Sequence, residues 1–213
     1  MYIPNKFVFI HIPKTGGNSF QNQILNYTDE IKTVADHNDG TNRFGIKGEF
    51  TKDKHQTLNT YLKIFKEKNI NISNLEFVTI VRNPTDRLIS FYFSPHRTII
   101  EKKKFLKKSQ FIHKDIEFDE SNFIKFCNNL PTQSDYLGNK IPSSQLTILK
   151  FENYNNEVSN FLKKYNIDFE DSKLNTSISR NKQKVTSDKS LMIRLEKIIK
   201  QTKHKEDFIK FYY

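Results

Sequence analysis

The sequence predicts an α/β fold, a central parallel β-sheet flanked by helices, and three observations carry that expectation. An apolar, β-prone run over residues 7–12 ends at Pro13 and opens into a small-residue loop with helix-compatible sequence behind it. A second, nearly continuous apolar run, Leu75–Val81, has the unbroken character of strands covered on both faces. Between the two lies sequence of helical period. The order strand, helix, helix, strand implies right-handed crossovers in a parallel sheet.

Taken in order, residues 18–27 follow the loop as the first helix. Asp29–Lys54 is polar, carries three glycines, and is expected to be irregular with one short strand near Phe44–Ile46. From His55 to Lys68, Leu58, Tyr61, Leu62 and Phe65 recur at helical spacing. After the Leu75–Val81 strand, Pro84 blocks extension and suits the first turn of a helix. Thr85–Phe93 continues that helix, with Leu88, Ile89, Tyr92 and Phe93 inward, and the aromatic group Phe91–Phe93 is most simply core. Residues 94–118 read as a basic, His-containing connection and 119–130 as a short amphipathic helix led by Asp119 or Ser121. Leu146–Phe151 is a third strand; Asn155–Tyr165 and Ser187–Thr202 are further helices. No repeat or composition shift marks a boundary, so residues 1–213 are expected to form one domain. The segments 94–118 and 131–145 are expected as insertions over the active site.

The chain has 213 residues, 36% hydrophobic and 13% aromatic, enough to bury a sizeable core. No apolar run is long enough to span a bilayer, and the N-terminal residues lack the pattern of a signal peptide. A single cysteine, Cys127, excludes an internal disulfide. A cytoplasmic enzyme is the expectation. The net charge of +11 comes mainly from Lys, since only six of the 35 basic residues are Arg. A diffuse positive field concentrates anionic ligands, whereas a nucleic-acid surface calls for clustered Arg and aromatic platforms. The run Lys102–Lys104 with Lys107 and Lys108 reads as a solvated face.

Two motifs carry the chemistry. Pro13-Lys14-Thr15-Gly16-Gly17-Asn18-Ser19 joins a strand to a helix. Such a loop gathers backbone N–H groups, hydroxyls and an ammonium around one point, as anion sites require. Its Lys precedes the glycines, so it is not a Walker A loop. A Gly-Gly turn alone is more often structural. The second motif runs from Val81 to Tyr92 and places Arg82 at a strand's carboxyl end, with Ser90 about two helical turns on. A guanidinium there can fork onto a phosphate, and ligands of open α/β sheets bind at that edge. Arg-Asn-Pro-x-Asp-Arg alone would read as a helix start with Asp86 and Arg87 pairing locally. Together the two motifs imply a ligand with two separated phosphate-like groups.

On these residues the chain resembles the sulfotransferases that use 3′-phosphoadenosine 5′-phosphosulfate (PAPS), most of all their Golgi-type and bacterial carbohydrate branch. The family's first motif is Pro-Lys-Thr-Gly-Gly-Thr-Ser, here with Asn18 in place of the usual Thr; the second is complete from Val81 to Tyr92. Weaker similarities at Phe151-Glu152-Asn153, Asn175-Thr176-Ser177 and Asp207-Phe208…Phe211-Tyr212 extend it over nearly the whole chain. The resemblance implies a P-loop-NTPase-like sulfotransferase fold and PAPS as co-substrate, with no metal. It implies Lys14 as the residue that stabilises charge on the leaving group's bridging oxygen. Lys14, Thr15, Gly16, Gly17, Asn18 and Ser19 would hold the 5′-phosphosulfate, and Arg82 and Ser90 the 3′-phosphate. Arg180, in a polar segment at 178–184, stands where the family often adds a late cofactor contact. Asn18 still offers an amide donor, so weakened contact is expected there.

An acceptor hydroxyl needs a base, and a His titrating near neutrality suits the task. His55 is the foremost candidate, in the region where related carbohydrate enzymes place a catalytic His; an uninvolved helix-start residue is the rival reading. His37, His96 or a carboxylate are the alternatives. His11 reads as structural beneath the loop, and His113 and His204 as surface residues. The reading is therefore sulfuryl transfer to an acceptor hydroxyl, on a carbohydrate foremost or on another hydroxyl acceptor, acidic ones included. The rivals are a kinase, a nucleotide-binding but inactive sulfotransferase-like protein, and a basic nucleic-acid-binding module.

Overall fold

The computed structural model describes residues 1–28, 48–94, 116–171 and 179–213, with the backbone of two further strands at 31–36 and 42–47. The chain divides into two compact units. One comprises Met1–Ala35, Asn42–Arg82 and Gln133–Asn175; the other comprises Asp36–Thr41, Asn83–Thr132 and Thr176–Tyr213.

The first unit is built on β1 (Tyr2–Ile3), β2 (Phe7–Ile10), β5 (Glu76–Val81) and β6 (Leu146–Lys150), in the sheet order β1-β2-β5-β6. β1 is antiparallel to β2, and the other pairs are parallel. The sequence reading began the sheet at Phe7. A two-residue strand before the Pro4-Asn5 turn is too short to show a period, and Asn5 makes the turn with φ 59. Phe7 pairs with Glu76 and Ile10 with Thr79; Phe77 pairs with Leu146 and Val81 with Lys150. All three parallel strands therefore end toward one edge. Phe7, Phe9, Val78 and Ile80 pack with Phe20, Phe161 and Leu162 in one core.

Two helices that precede β5 in this unit bear on the site. α1 (Gly17–Gln23) follows the loop after β2, and a short 3₁₀ turn at Leu25–Tyr27 extends it, close to the expected 18–27. α2 (Leu58–Glu67) starts at Thr57, whose hydroxyl accepts from Thr60 N–H, and buries Leu58, Tyr61, Ile64 and Phe65. Such a cap stabilises a helix by about 1 kcal/mol. In the polar stretch 29–54 the strand expected near Phe44–Ile46 is present as β4 (Asn42–Lys47), and an unexpected strand, β3 (Ile31–Asp36), pairs with it in a separate two-stranded sheet. The β3 sequence Ile-Lys-Thr-Val-Ala-Asp does not alternate strictly, which is why no strand period shows there.

The second unit is helical. α3 (Pro84–Tyr92) has Pro84 in its first turn and Asn83 as its cap, accepting from Thr85 and Asp86 N–H. α4 (Glu120–Asn128) is capped by Asp119 as expected. Leu88, Ile89, Phe91, Tyr92 and Phe93 pack with Phe123, Phe126, Leu195 and Phe208. Arg87 is fully buried and donates to Pro131 O at 3.2 Å.

Two sequence expectations are corrected in this unit. Residues 180–187 are a capped helix, α7, after α5 (Gln133–Leu137) and α6 (Tyr154–Lys163), where a polar irregular segment was expected. His204 is not a surface residue: it is wholly buried, and its Nε2–H donates to Cys127 O at 2.9 Å. α8 (Lys189–Ile199) lies within the expected 187–202, and α9 (Lys205–Tyr212) closes the chain.

Candidate functional site

The carboxyl ends of β2, β5 and β6 deliver three things to one edge of the first unit: the loop His11–Ser19, Arg82 and Phe151. The loop is shaped by backbone conformations that sequence seldom allows. Lys14 has φ 70 and Gly16 φ 88, both in the left-handed region. Among the described residues the other non-glycine residues there are Asn5, Asn69 and Asn166, a type that tolerates it. Lys14 is a costlier occupant. Alternating left-handed residues turn successive N–H groups toward one concavity, and the N–H groups of a helix's first turn have no intrahelical acceptor. Thr15, buried, donates its hydroxyl to Ile12 O at 2.8 Å and so holds the bend.

The two glycines are required for separate reasons. A Cβ on Gly16 would meet strained backbone and stand 2.9 Å from two ring carbons of Phe151. A Cβ on Gly17 would stand 2.2 Å from His11 Cδ2 and 2.3 Å from its Nε2. His11 is thus packed under the loop as expected of a structural residue, 3% exposed, with Nδ1 3.1 Å from Gln21 Oε1. Burial, then the nearby His55, Lys54 and chain terminus, hold its pKa well below the usual range.

His55 sits against His11, ring centroids 4.5 Å apart and nearly perpendicular. Its Nδ1 lies 3.1 Å from the His11 carbonyl. A carbonyl only accepts, so Nδ1 carries the hydrogen and Nε2 of the neutral ring keeps its lone pair. Burial is the largest influence on this ring and takes its pKa down to about 4, with the Lys14 charge contributing in the same direction. His55 is therefore neutral at pH 7. Its loop is pinned by the buried Gln56, which accepts from Lys52 N–H at 3.0 Å and donates to Phe50 O at 2.6 Å.

Arg82 follows the last residue of β5. Its guanidinium carbon lies 4.3 Å from the Phe151 ring centroid, the stacked arrangement favourable to a cation. Phe151 is the same ring that closes on Gly16. Gln133 clasps the Arg82 main chain from α5: Arg82 N–H donates to Oε1 at 2.9 Å and Nε2 donates to Arg82 O at 2.8 Å. Behind the loop, burial raises the Tyr154 phenol above its usual range, and Ser19 offsets part of that.

The structure thus brings together Lys14, Thr15, Gly16, Gly17, Asn18, Ser19, His55 and Arg82 within the first unit. Ser90 is buried in the last turn of α3, and Arg180 is the exposed first residue of α7; both belong to the second unit. His37, His96, His113, the lysine run 102–108 and Asn175–Ser177 lie outside the described residues. A shallow concavity lined by Asn59, Thr60, Leu62, Lys63, Lys66 and Lys140 lies on the outer side of α2, and no motif residue lines it. Sequence reasoning missed the functions of Phe151, Gln133 and Gln56; the quoted Phe151-Glu152-Asn153 similarity was the one signal among them.

In comparison with known proteins, the family model described as the sulfotransferase family matches residues 4–213. No curated protein and no solved structure matches the chain.

Proposed function

The chain belongs to the sulfotransferase family, and from that premise we propose that it transfers a sulfuryl group from PAPS to an acceptor hydroxyl on a carbohydrate, acidic acceptors included. Membership makes it an enzyme with the family's α/β fold. The observation that carries the donor assignment is the double use of Phe151, which packs on Gly16 of the anion loop and under the Arg82 guanidinium. One ring fixes the spacing between two anion-binding groups, and PAPS presents two phosphate-bearing ends.

The residues fit that donor. The left-handed backbone at Lys14 and Gly16 shapes a concavity for a phosphate, and the Lys14 ammonium supplies positive charge for the oxygen that leaves sulfur. Thr15, Gly16, Gly17, Asn18 and Ser19 complete the cradle. Sulfuryl transfer, like phosphoryl transfer, rests on positioning and on electrostatic stabilisation of peripheral oxygens. His55, neutral with Nε2 unprotonated, is the proposed base for the acceptor's proton as its oxygen bonds to sulfur and the bond from sulfur to the phosphate oxygen breaks; its lowered pKa makes it a weaker base than the ordinary imidazole expected from the sequence. Arg82 recognises the 3′-phosphate. Ser90 and Arg180 enter this proposal on the sequence motif alone. A single sulfotransferase domain over 1–213 is proposed on the extent of the family match, and a cytoplasmic site of action on the single, buried cysteine. Among the described residues no helix is long and apolar enough to cross a membrane.

The test is calorimetric titration with adenosine 3′,5′-bisphosphate, the desulfated product. Wild type is expected to bind, and Arg82→Ala to bind at least tenfold more weakly, the loss of a charge-assisted contact worth about 1.5–3 kcal/mol. No binding by wild type refutes the donor assignment. Labelled sulfate transfer onto a glycan panel, abolished in Lys14→Ala and His55→Ala, tests the roles.

A further inference from the structure

We propose that Gln133 is a positioning residue for Arg82 and thereby sets the preference for a donor bearing a second phosphate; this rests on the donor reading above. The pairing register on either side of β5 runs to Ile10 with Thr79 and to Val81 with Lys150, and so ends before Arg82. Arg82 thus lies one residue beyond the last pair of that register. The Gln133 side chain supplies one acceptor and one donor, at 2.9 and 2.8 Å, as a residue of an adjoining strand would. It is 0% exposed, so water does not compete for either bond.

Holding both main-chain groups of residue 82 fixes where its side chain departs. The guanidinium can then meet the Phe151 ring and present its remaining donors in a constant direction. A Gln amide carries an uncharged acceptor and an uncharged donor on one terminal group. Gln133 is not itself a ligand contact. It acts through Arg82.

The experiment compares affinities for adenosine 3′,5′-bisphosphate and for adenosine 5′-monophosphate, which lacks the 3′-phosphate. Gln133→Met, of similar length and unable to make either bond, is expected to weaken the bisphosphate about tenfold and leave the monophosphate within twofold. In an Arg82→Ala background the same substitution is expected to change neither, because contacting residues are coupled. Gln133→Glu keeps the acceptor for Arg82 N–H and loses the donor to Arg82 O. It should weaken the bisphosphate selectively and decides the matter if the Met variant fails to fold. Equal loss for both nucleotides, unchanged bisphosphate affinity, or an undiminished effect in Arg82→Ala overturns the positioning role while leaving the donor reading intact. Absence of bisphosphate binding by wild type overturns the donor reading and this inference with it.

Discussion

Gly17→Ala is the sharpest perturbation of the anion loop, because one methyl group meets a buried ring that has little room to move. The added Cβ would stand 2.2 Å from His11 Cδ2, 2.3 Å from Nε2 and 2.9 Å from Cγ. Ordinary carbon contacts begin near about 3.5 Å, so the imidazole must shift by roughly 1 Å. His11 is hemmed in by Phe9 (centroids 5.6 Å apart), His55 (4.5 Å) and Gln21. Moving it strains the His11–Gln21 hydrogen bond and the carbonyl that receives His55 Nδ1–H. Overpacking of this kind costs about 1–3 kcal/mol. Gly17 does not have a left-handed φ, so the backbone itself accepts Ala, and better helix propensity returns up to about 1 kcal/mol. The expected net loss is about 1–2 kcal/mol, read as a lower urea midpoint at unchanged slope. If the ring is the obstacle, removing it must relieve the strain: Gly17→Ala should cost little or nothing in a His11→Ala background. Wild-type stability of Gly17→Ala, or the same loss with and without the His11 ring, would refute the steric account.

Two further predictions follow from the same loop. His55 and His11 have folded pKa values below the ordinary 6.5, so the unfolded chain takes up protons first as pH falls. Stability is full above about pH 6.5 and declines toward pH 4. His55 alone accounts for about 3 kcal/mol over that window, so denaturation midpoints of His55→Leu measured from pH 7.5 to 4.5 should fall less steeply than those of wild type; an equally steep fall would count against a buried neutral His55. Asn18→Thr restores the hydroxyl of the family motif and is expected to tighten bisphosphate binding about two- to tenfold, the worth of one hydrogen bond. Unchanged or weaker binding in the titration would show that the Asn18 amide already serves that contact.

Much of the fold was legible because its signals are local. The apolar runs at Phe7–Ile10 and Glu76–Val81, the period of α2 and the Pro84 helix start each lie within a few consecutive residues. The anion loop was legible for the same reason. The strand β3 was not, since Ile-Lys-Thr-Val-Ala-Asp shows no strict alternation. His204 looked exposed because a polar residue among lysines gives no hint of the Cys127 carbonyl that receives its hydrogen bond.

The unreadable part of the site has a common physical cause: it consists of neutral groups that act by geometry. Arg82 announces itself by charge and place, yet what aims it is an amide 51 residues on and an aromatic ring 69 residues on. Neither carries a charge. A carboxylate in place of Phe151 would have held Arg82 more tightly, and would have neutralised the charge that a phosphate must meet. A ring face steadies the guanidinium while leaving its charge in force. His55 follows the same logic. The carbonyl of His11 orients it without supplying a counter-ion, and a carboxylate at that point would instead raise its pKa and favour the protonated ring. On the proposed roles, a site that receives anions and accepts a proton draws its supporting groups from amides, carbonyls and aromatic faces, and those residue types are the hardest to single out in a sequence.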